Sequence, residues 1–401
     1  MTVVFEKTNY ARFVNIKKPK KTLIVELDTL LTGSNSFNKI MDLESVGTSN
    51  GLRRKKLKVS LEKDLSKRDL SSLPKSVLQR IFSHLDTQSI HNCAVLCSTF
   101  YNLSKDSSLY KILNLNYRMS ENALEYHISK ITHPDTVEIE YDSDQSQDDD
   151  LTFFNHSIVK VLRNCGEDIF SLKLDNCKEE EVLTNIDNCV NLERLILHSC
   201  KSTFSSLLSL CKLRTIKFSS CHFPQKIVKE VIKNNLYLKS LYLSNNINVN
   251  PNELCEVMSR QSYDIKDIHI NERKRLRARS LKTLSRLTNL RKLSIISEAG
   301  FDCNPEDSFE LLAAGCSFLE KLCIDNWKEI NDANFISALR MFSQLKTLIL
   351  RRTNITIKTC REAAITLPLL KTLIVVKCQR IKKAQLLLLK KDFEDIDIPL
   401  Q

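Results

Sequence analysis

The chain has 401 residues, 42% hydrophobic and 27% charged, which is ample for a large buried core in roughly two or three domains. Only six residues are glycine, and neither GxGxxG nor GxxxxGK[ST] can be written from them, so two common nucleotide-binding loops are excluded. The formal charge of +12 points to acidic partners, but residues 1–70 hold 15 Lys/Arg against 8 Asp/Glu, so much of the surplus is local.

Residues 1–67 read as a basic, flexible tail. Its runs at 17–21 (KKPKK) and 53–58 (RRKKLK) have the composition of nuclear import signals and equally of solvated charge. The stretch 23–31 (LIVELDTLL) fits a strand or a partner motif. Glu6 and Lys7 stand where a secretory leader needs apolar residues, and the fourteen cysteines form no CxxC. The longest apolar stretch, near Leu369–Val376, is broken by Lys371 and is too short for a bilayer. These features predict an intracellular chain, nuclear, cytoplasmic or both, with buried thiols and no membrane association.

Residues 68–115 change pattern. Val77, Leu78, Ile81, Phe82 and Leu85 share one face of a predicted helix, and Pro74 lies near its start where proline is tolerated. A second helix carries Ile90, Ala94, Val95 and Leu96, and a third short stretch runs through Leu103 and Leu109. So small a unit has more apolar surface than it can bury alone, and the surplus predicts a partner-binding face.

From residue 116 onward the dominant signal is a repeat. Leu192-Glu-Arg-Leu195-Ile-Leu197-His-Ser-Cys200 recurs around Leu172, Ile216, Leu241, Ile268, Leu293, Leu322, Leu348 and Leu373, with a worn copy at Ile396 and Ile398. Spacings run from 21 to 29 residues and average about 25, within the leucine-rich-repeat window. Each LxxLxL core predicts a strand with alternate residues turned inward, followed by helical patterns such as Ile227, Val228, Val231 and Ile232. One strand and one helix cannot bury both faces, so the units must stack. Cys177, Cys200, Cys221 and Cys378 follow their strands and are expected to turn into the core. Val137 and Ile139 extend the series upstream, ahead of an insertion at 142–150 (DSDQSQDDD) too polar to fold, and Leu113 and Leu115 fit one period earlier. The predicted fold is an α/β solenoid of leucine-rich repeats, a curved parallel sheet with outer helices, behind a small all-α domain.

The segment 73–86 (LPKSVLQRIFSHLD), with Val95, Leu96, Cys97, Phe100, Leu103, Asp106, Leu109 and Tyr110, resembles the F-box. With the repeats behind it, the chain resembles F-box/leucine-rich-repeat proteins. Ser76, Ser98, Phe100 and Tyr110 depart from the acidic, Arg and Trp positions frequent in the motif but leave its apolar face intact. The resemblance implies the non-catalytic, substrate-recognition subunit of a Skp–cullin–F-box ubiquitin ligase. It implies adaptor contacts at Leu73, Pro74, Val77, Leu78, Ile81, Phe82, Leu96 and Phe100, and through the Skp-type adaptor a link to cullin and RING subunits. Target proteins would then be marked for proteasomal degradation.

No catalytic, metal or cofactor site is suggested by spacing. The eight histidines form no HExxH or HxxxH, and His91, Cys93 and Cys97 lie on the F-box helices. For the substrate, the residues flanking the inward leucines are expected to line the concave face. The expected centre is Trp327 with Arg351, Arg352 and Ile374, taking an acidic or phosphorylated segment, and Arg273 and Arg275 form a secondary anion contact. The alternative is a nuclear leucine-rich-repeat scaffold binding nucleic acid or acidic complexes, and another is a repeat-type GTPase activator. Nucleic acid is disfavoured because the basic residues are not interleaved with exposed aromatics.

Overall fold

The computed structural model describes two short strands, β1 (Thr2–Phe5) and β2 (Ala11–Val14), which pair antiparallel. It then describes residues 70–400 apart from 86, 132, 144–150, 262–263, 298–299, 302–304 and 306. Both basic runs of the tail, the 23–31 stretch and most of the acidic insertion lie outside the described residues. The chain divides into one unit ending at Ile112 and a second beginning at Leu113.

In the first unit, helices α1 (Lys75–Phe82), α2 (Thr87–Ala94) and α3 (Ser98–Leu103) follow one another through short turns. Leu78, Phe82, Ile90, Cys93 and Leu103 form its core. Phe82 packs on Phe100 with ring centroids 5.3 Å apart. The Tyr110 hydroxyl donates to the Ser104 carbonyl at 2.5 Å, and the Gln79 amide donates to Asp106. These bonds tie the end of the unit back onto α1 and α3.

The second unit carries an eleven-stranded sheet in strict sequence order, β3 (Ile112–Asn116) to β13. The next strands are β4 (Thr136–Glu140), β5 (Ser171–Asp175), β6 (Arg194–His198), β7 (Thr215–Ser219) and β8 (Ser240–Ser244). They continue as β9 (Asp267–Glu272), β10 (Lys292–Ser297), β11 (Lys321–Asp325), β12 (Thr347–Arg351) and β13 (Thr372–Val376). Every neighbouring pair from β4 to β13 is parallel. The register puts the inward leucines opposite one another, Leu195 against Ile216 and Leu348 against Leu373, for example. All four are fully buried, and each such side chain contributes roughly 1.5–3 kcal/mol. The worn copy at Ile396 and Ile398 makes a single bridge, Thr372 to Asp397, with both isoleucines buried.

Repeat length decides what joins the strands. Helices α4 (Glu121–Lys130) and α5 (Thr152–Cys165) flank β4, and the 23-residue repeat from Leu172 to Leu195 has room only for α6 (Glu180–Thr184) and a 3-10 turn. The 21-residue step from Leu195 to Ile216 has no α-helix, only the 3-10 segment Ser205–Ser209. Longer repeats hold α7 (Gln225–Asn234), α8 (Pro251–Gln261), α9 (Ala278–Leu284) and α10 (Ser308–Gly315). The last are α11 (Asp332–Leu339), α12 (Ile357–Thr366) and α13 (Lys383–Asp392). Two glycines allow repeats to approach closely. A Cβ on Gly166 would lie 2.6 Å from the Asn188 carbonyl oxygen, and one on Gly315 only 1.9 Å from that of Ser285.

After most strands one residue enters the left-handed region and throws the next side chain into the core. Asn176, Ser199, Ser220, Asn245, Asn326, Arg352 and Lys377 have φ between 49° and 63°. The residues behind them, Cys177, Cys200, Cys221, Asn246, Trp327, Thr353 and Cys378, are all buried. Several satisfy strand carbonyls of the previous repeat. The Cys200 thiol lies 3.5 Å from the Leu174 oxygen, and the Asn246 amide donates to the Phe218 carbonyl at 2.9 Å. The thirteen described cysteines are not bridged to one another.

Candidate functional site

Two surfaces carry the chemistry available here. On the small unit, helix periodicity sends Leu78 and Phe82 inward, each 2% exposed. They are core residues of the unit, where the sequence reading expected them on its exposed docking face. A helical stripe reads the same whether it packs on its own domain or on a partner. Pro74 and Val77 are exposed, and Leu73, Ile81, Leu96 and Phe100 are half-buried. Val95 and Tyr101, outside the expected set, are the most exposed large apolar residues of α1 to α3 and their turns, at 83% and 51%. Val95, expected on the second helix, falls in the turn after α2, and Tyr101 lies on α3 away from its buried Leu103.

On the second unit, the sheet face opposite the inward leucines is lined by the alternate strand residues. In its middle, Lys217, Tyr242 and His269 occupy one register row. The Lys217 ammonium lies 4.6 Å above the Tyr242 ring, which stacks on His269 at 6.0 Å. The Tyr242 hydroxyl donates to Asp267 at 2.6 Å, and Lys292 stands 3.8 Å from the same carboxylate. Burial, helped by that carboxylate, pushes the Tyr242 phenol up to about 12, while burial lowers the His269 imidazole and favours its neutral form. Towards β13 the row turns apolar through Cys323, Ile349 and Ile374.

The expected centre around Trp327 does not form on this face. Trp327 is fully buried, stacked on Phe301 with centroids 3.8 Å apart, because it occupies the same inward position as Cys200 and Cys221. Its indole is closed to a docking segment. Arg351 lies on β12 in register with Asp325 and Val376, and its buried Nε has no hydrogen-bond partner among the described residues. Arg352 falls in the turn at φ 49° and donates to Asp325 at 2.6 Å. The two arginines thus diverge, and a carboxylate already answers one of them. Ile374 does line the face, half-buried. Arg273 and Arg275 are exposed on the loop after β9, where Asn252 donates to the Arg275 carbonyl at 2.9 Å. Among the described residues no group of three His, Cys, Asp or Glu is arranged to hold a metal ion, and no helix is long and apolar enough to cross a membrane.

A family model described as F-box-like matches residues 70–116. Among solved structures, a chain of the yeast Rad7–Elc1 complex is similar over 88% of this chain and 93% of its own, at 15% identity and a TM-score of 0.52. An internalin of Listeria monocytogenes matches 70% of this chain and 76% of its own at 17% identity and a TM-score of 0.46. A leucine-rich-repeat protein of Leptospira interrogans matches 73% and 91% at 13% identity and a TM-score of 0.41. No curated protein matches the chain. The chain thus carries an F-box-like segment at 70–116 followed directly by an ordered parallel sheet of the leucine-rich-repeat type.

Proposed function

We propose that the chain is the substrate-recognition subunit of a Skp–cullin–F-box ubiquitin ligase. The observation that carries this reading is the F-box-like match at 70–116 placed directly ahead of the repeat sheet. The small unit binds a Skp-type adaptor through Pro74, Val77, Val95 and Tyr101, with Leu73, Ile81, Leu96 and Phe100 at the margin. Leu78 and Phe82 hold those residues in place from beneath. Domain limits near 68–115 and 116–401 follow from the same reading. That the fold neighbour is a chain of a two-protein complex, Rad7–Elc1, supports an adaptor-bound state.

The chain contributes position rather than bond-making: cullin and RING subunits bring the transfer machinery, and holding the target beside it raises effective concentration. The target docks on the open sheet face. Arg194, Lys217, Lys292 and Lys321 around Tyr242 favour an acidic or phosphorylated stretch, and Ile349 and Ile374 favour an apolar flank. The test is capture by the full chain from cells in which proteasome and cullin activity are blocked. Proteins retained by the wild type should be lost from Lys217→Glu with Lys321→Glu while adaptor capture persists. An identical retained set would overturn this docking face.

A further inference from the structure

Between 371 and 391 the sequence holds seven Lys or Arg and no Asp or Glu. The seven, Lys371, Lys377, Arg380, Lys382, Lys383, Lys390 and Lys391, are all exposed, and none is paired with a carboxylate among the described residues. Several cations of the neighbouring repeats are answered by carboxylates. Arg340 is paired with Glu362, Lys346 with Glu320, and Arg361 with Asp392, at 2.7–2.9 Å. What sets the last repeat apart is that seven unpaired cations gather within 21 residues that hold no carboxylate.

Helix α13 adds a second feature. It buries Leu386 and Leu389 but leaves Leu387 42% and Leu388 59% exposed, and Ala384 is exposed as well. Positions 384, 387 and 388 are spaced i, i+3, i+4 and form one stripe, flanked by Lys383 and extended by Lys391. An aliphatic stripe bordered by ammonium groups is complementary to a helix carrying leucines on one face and carboxylates beside them.

We propose that α13 is a docking surface for an acidic amphipathic helix of a partner protein. Nucleic acid fits less well, because the exposed stripe is aliphatic and gives bases nothing to stack on. Asp392, Glu394, Asp395 and Asp397, all exposed, end the positive surface at the C-terminal end of α13, whose ten residues span about 15 Å, the length of one short helix. A second copy of this chain would bring like charge against like. The surface is separate from the open sheet face, so this inference does not depend on the ligase reading.

The probe is a fluorescein-labelled peptide of about four helical turns, glutamate-rich with leucines at i, i+3 and i+4, titrated against the full chain by anisotropy. Binding should weaken at least about tenfold, the equivalent of about 1.4 kcal/mol, with Leu387→Ser plus Leu388→Ser. It should weaken as much with Lys383→Glu plus Lys391→Glu, and with a peptide whose leucines are replaced by serine. Unchanged thermal melting would show that the variants fold. No binding, or binding indifferent to both variant pairs, overturns the proposal. So does tighter binding of a duplex DNA that displaces the peptide, or self-association of the chain abolished by the leucine variants.

Discussion

The Trp327 indole lies flat on the Phe301 ring, the planes 4° from parallel, and Phe309 tilts against its flank with centroids 5.3 Å apart. Removing a buried indole typically costs about 3–5 kcal/mol, so Trp327→Ala should lower the denaturation midpoint steeply while Trp327→Phe retains part of it. Trp327 is the only tryptophan in the chain, so emission excited beyond the absorption of the nine tyrosines reports this contact alone. Native emission should be blue-shifted and shielded from acrylamide. Quenching as efficient as in the unfolded chain would contradict the packing.

A glycine to alanine change in a helix normally gains about 1 kcal/mol. Gly315→Ala should do the reverse, because the new Cβ would meet the Ser285 carbonyl oxygen at 1.9 Å. Forcing α10 away from that backbone should cost at least about 2 kcal/mol by chemical denaturation. A neutral or stabilising result would mean that the two repeats are not in such close contact.

Glu272 gives a pH-dependent prediction. Its carboxylate is buried and accepts from the Asn246 backbone N–H and side-chain amide at 2.9 and 2.8 Å. Burial nevertheless raises it from 4.5 to about 7, outweighing those bonds. A carboxyl whose folded value exceeds its unfolded one contributes stability that is complete below about pH 4.5 and lost as pH rises through about 7. Glu272→Gln cannot ionise, so wild type minus variant should fall across that window by up to about 3 kcal/mol. Parallel stability profiles would rule the effect out.

The repeat was legible because inward leucines recur beside a fixed two-residue alternation, and alternation survives insertions between strands. The same count could have placed Trp327, which lies three residues beyond the inward Ile324 just as Cys221 lies three beyond Phe218. Its residue type suggested a binding hot spot, but register decides which way a side chain points. Glu272 was not legible, because β9 runs one residue longer and brings the inward position a residue earlier. Nor could periodicity tell that Leu78 and Phe82 serve their own core, since three short helices and a partner offer the same apolar face.

The central claim is that the small unit docks an adaptor through its exposed apolar residues while Leu78 and Phe82 merely support them. The most direct measurement is co-elution of the full chain with a purified Skp-type adaptor, alongside a thermal melt of each variant. Wild type should co-elute stoichiometrically. Val77→Asp with Val95→Asp should lose the adaptor without a change in melting, and Phe82→Ala should lose both adaptor and stability, by about 3–5 kcal/mol. A wild-type chain that fails to retain the adaptor, or a surface double variant that retains it fully, would contradict the account.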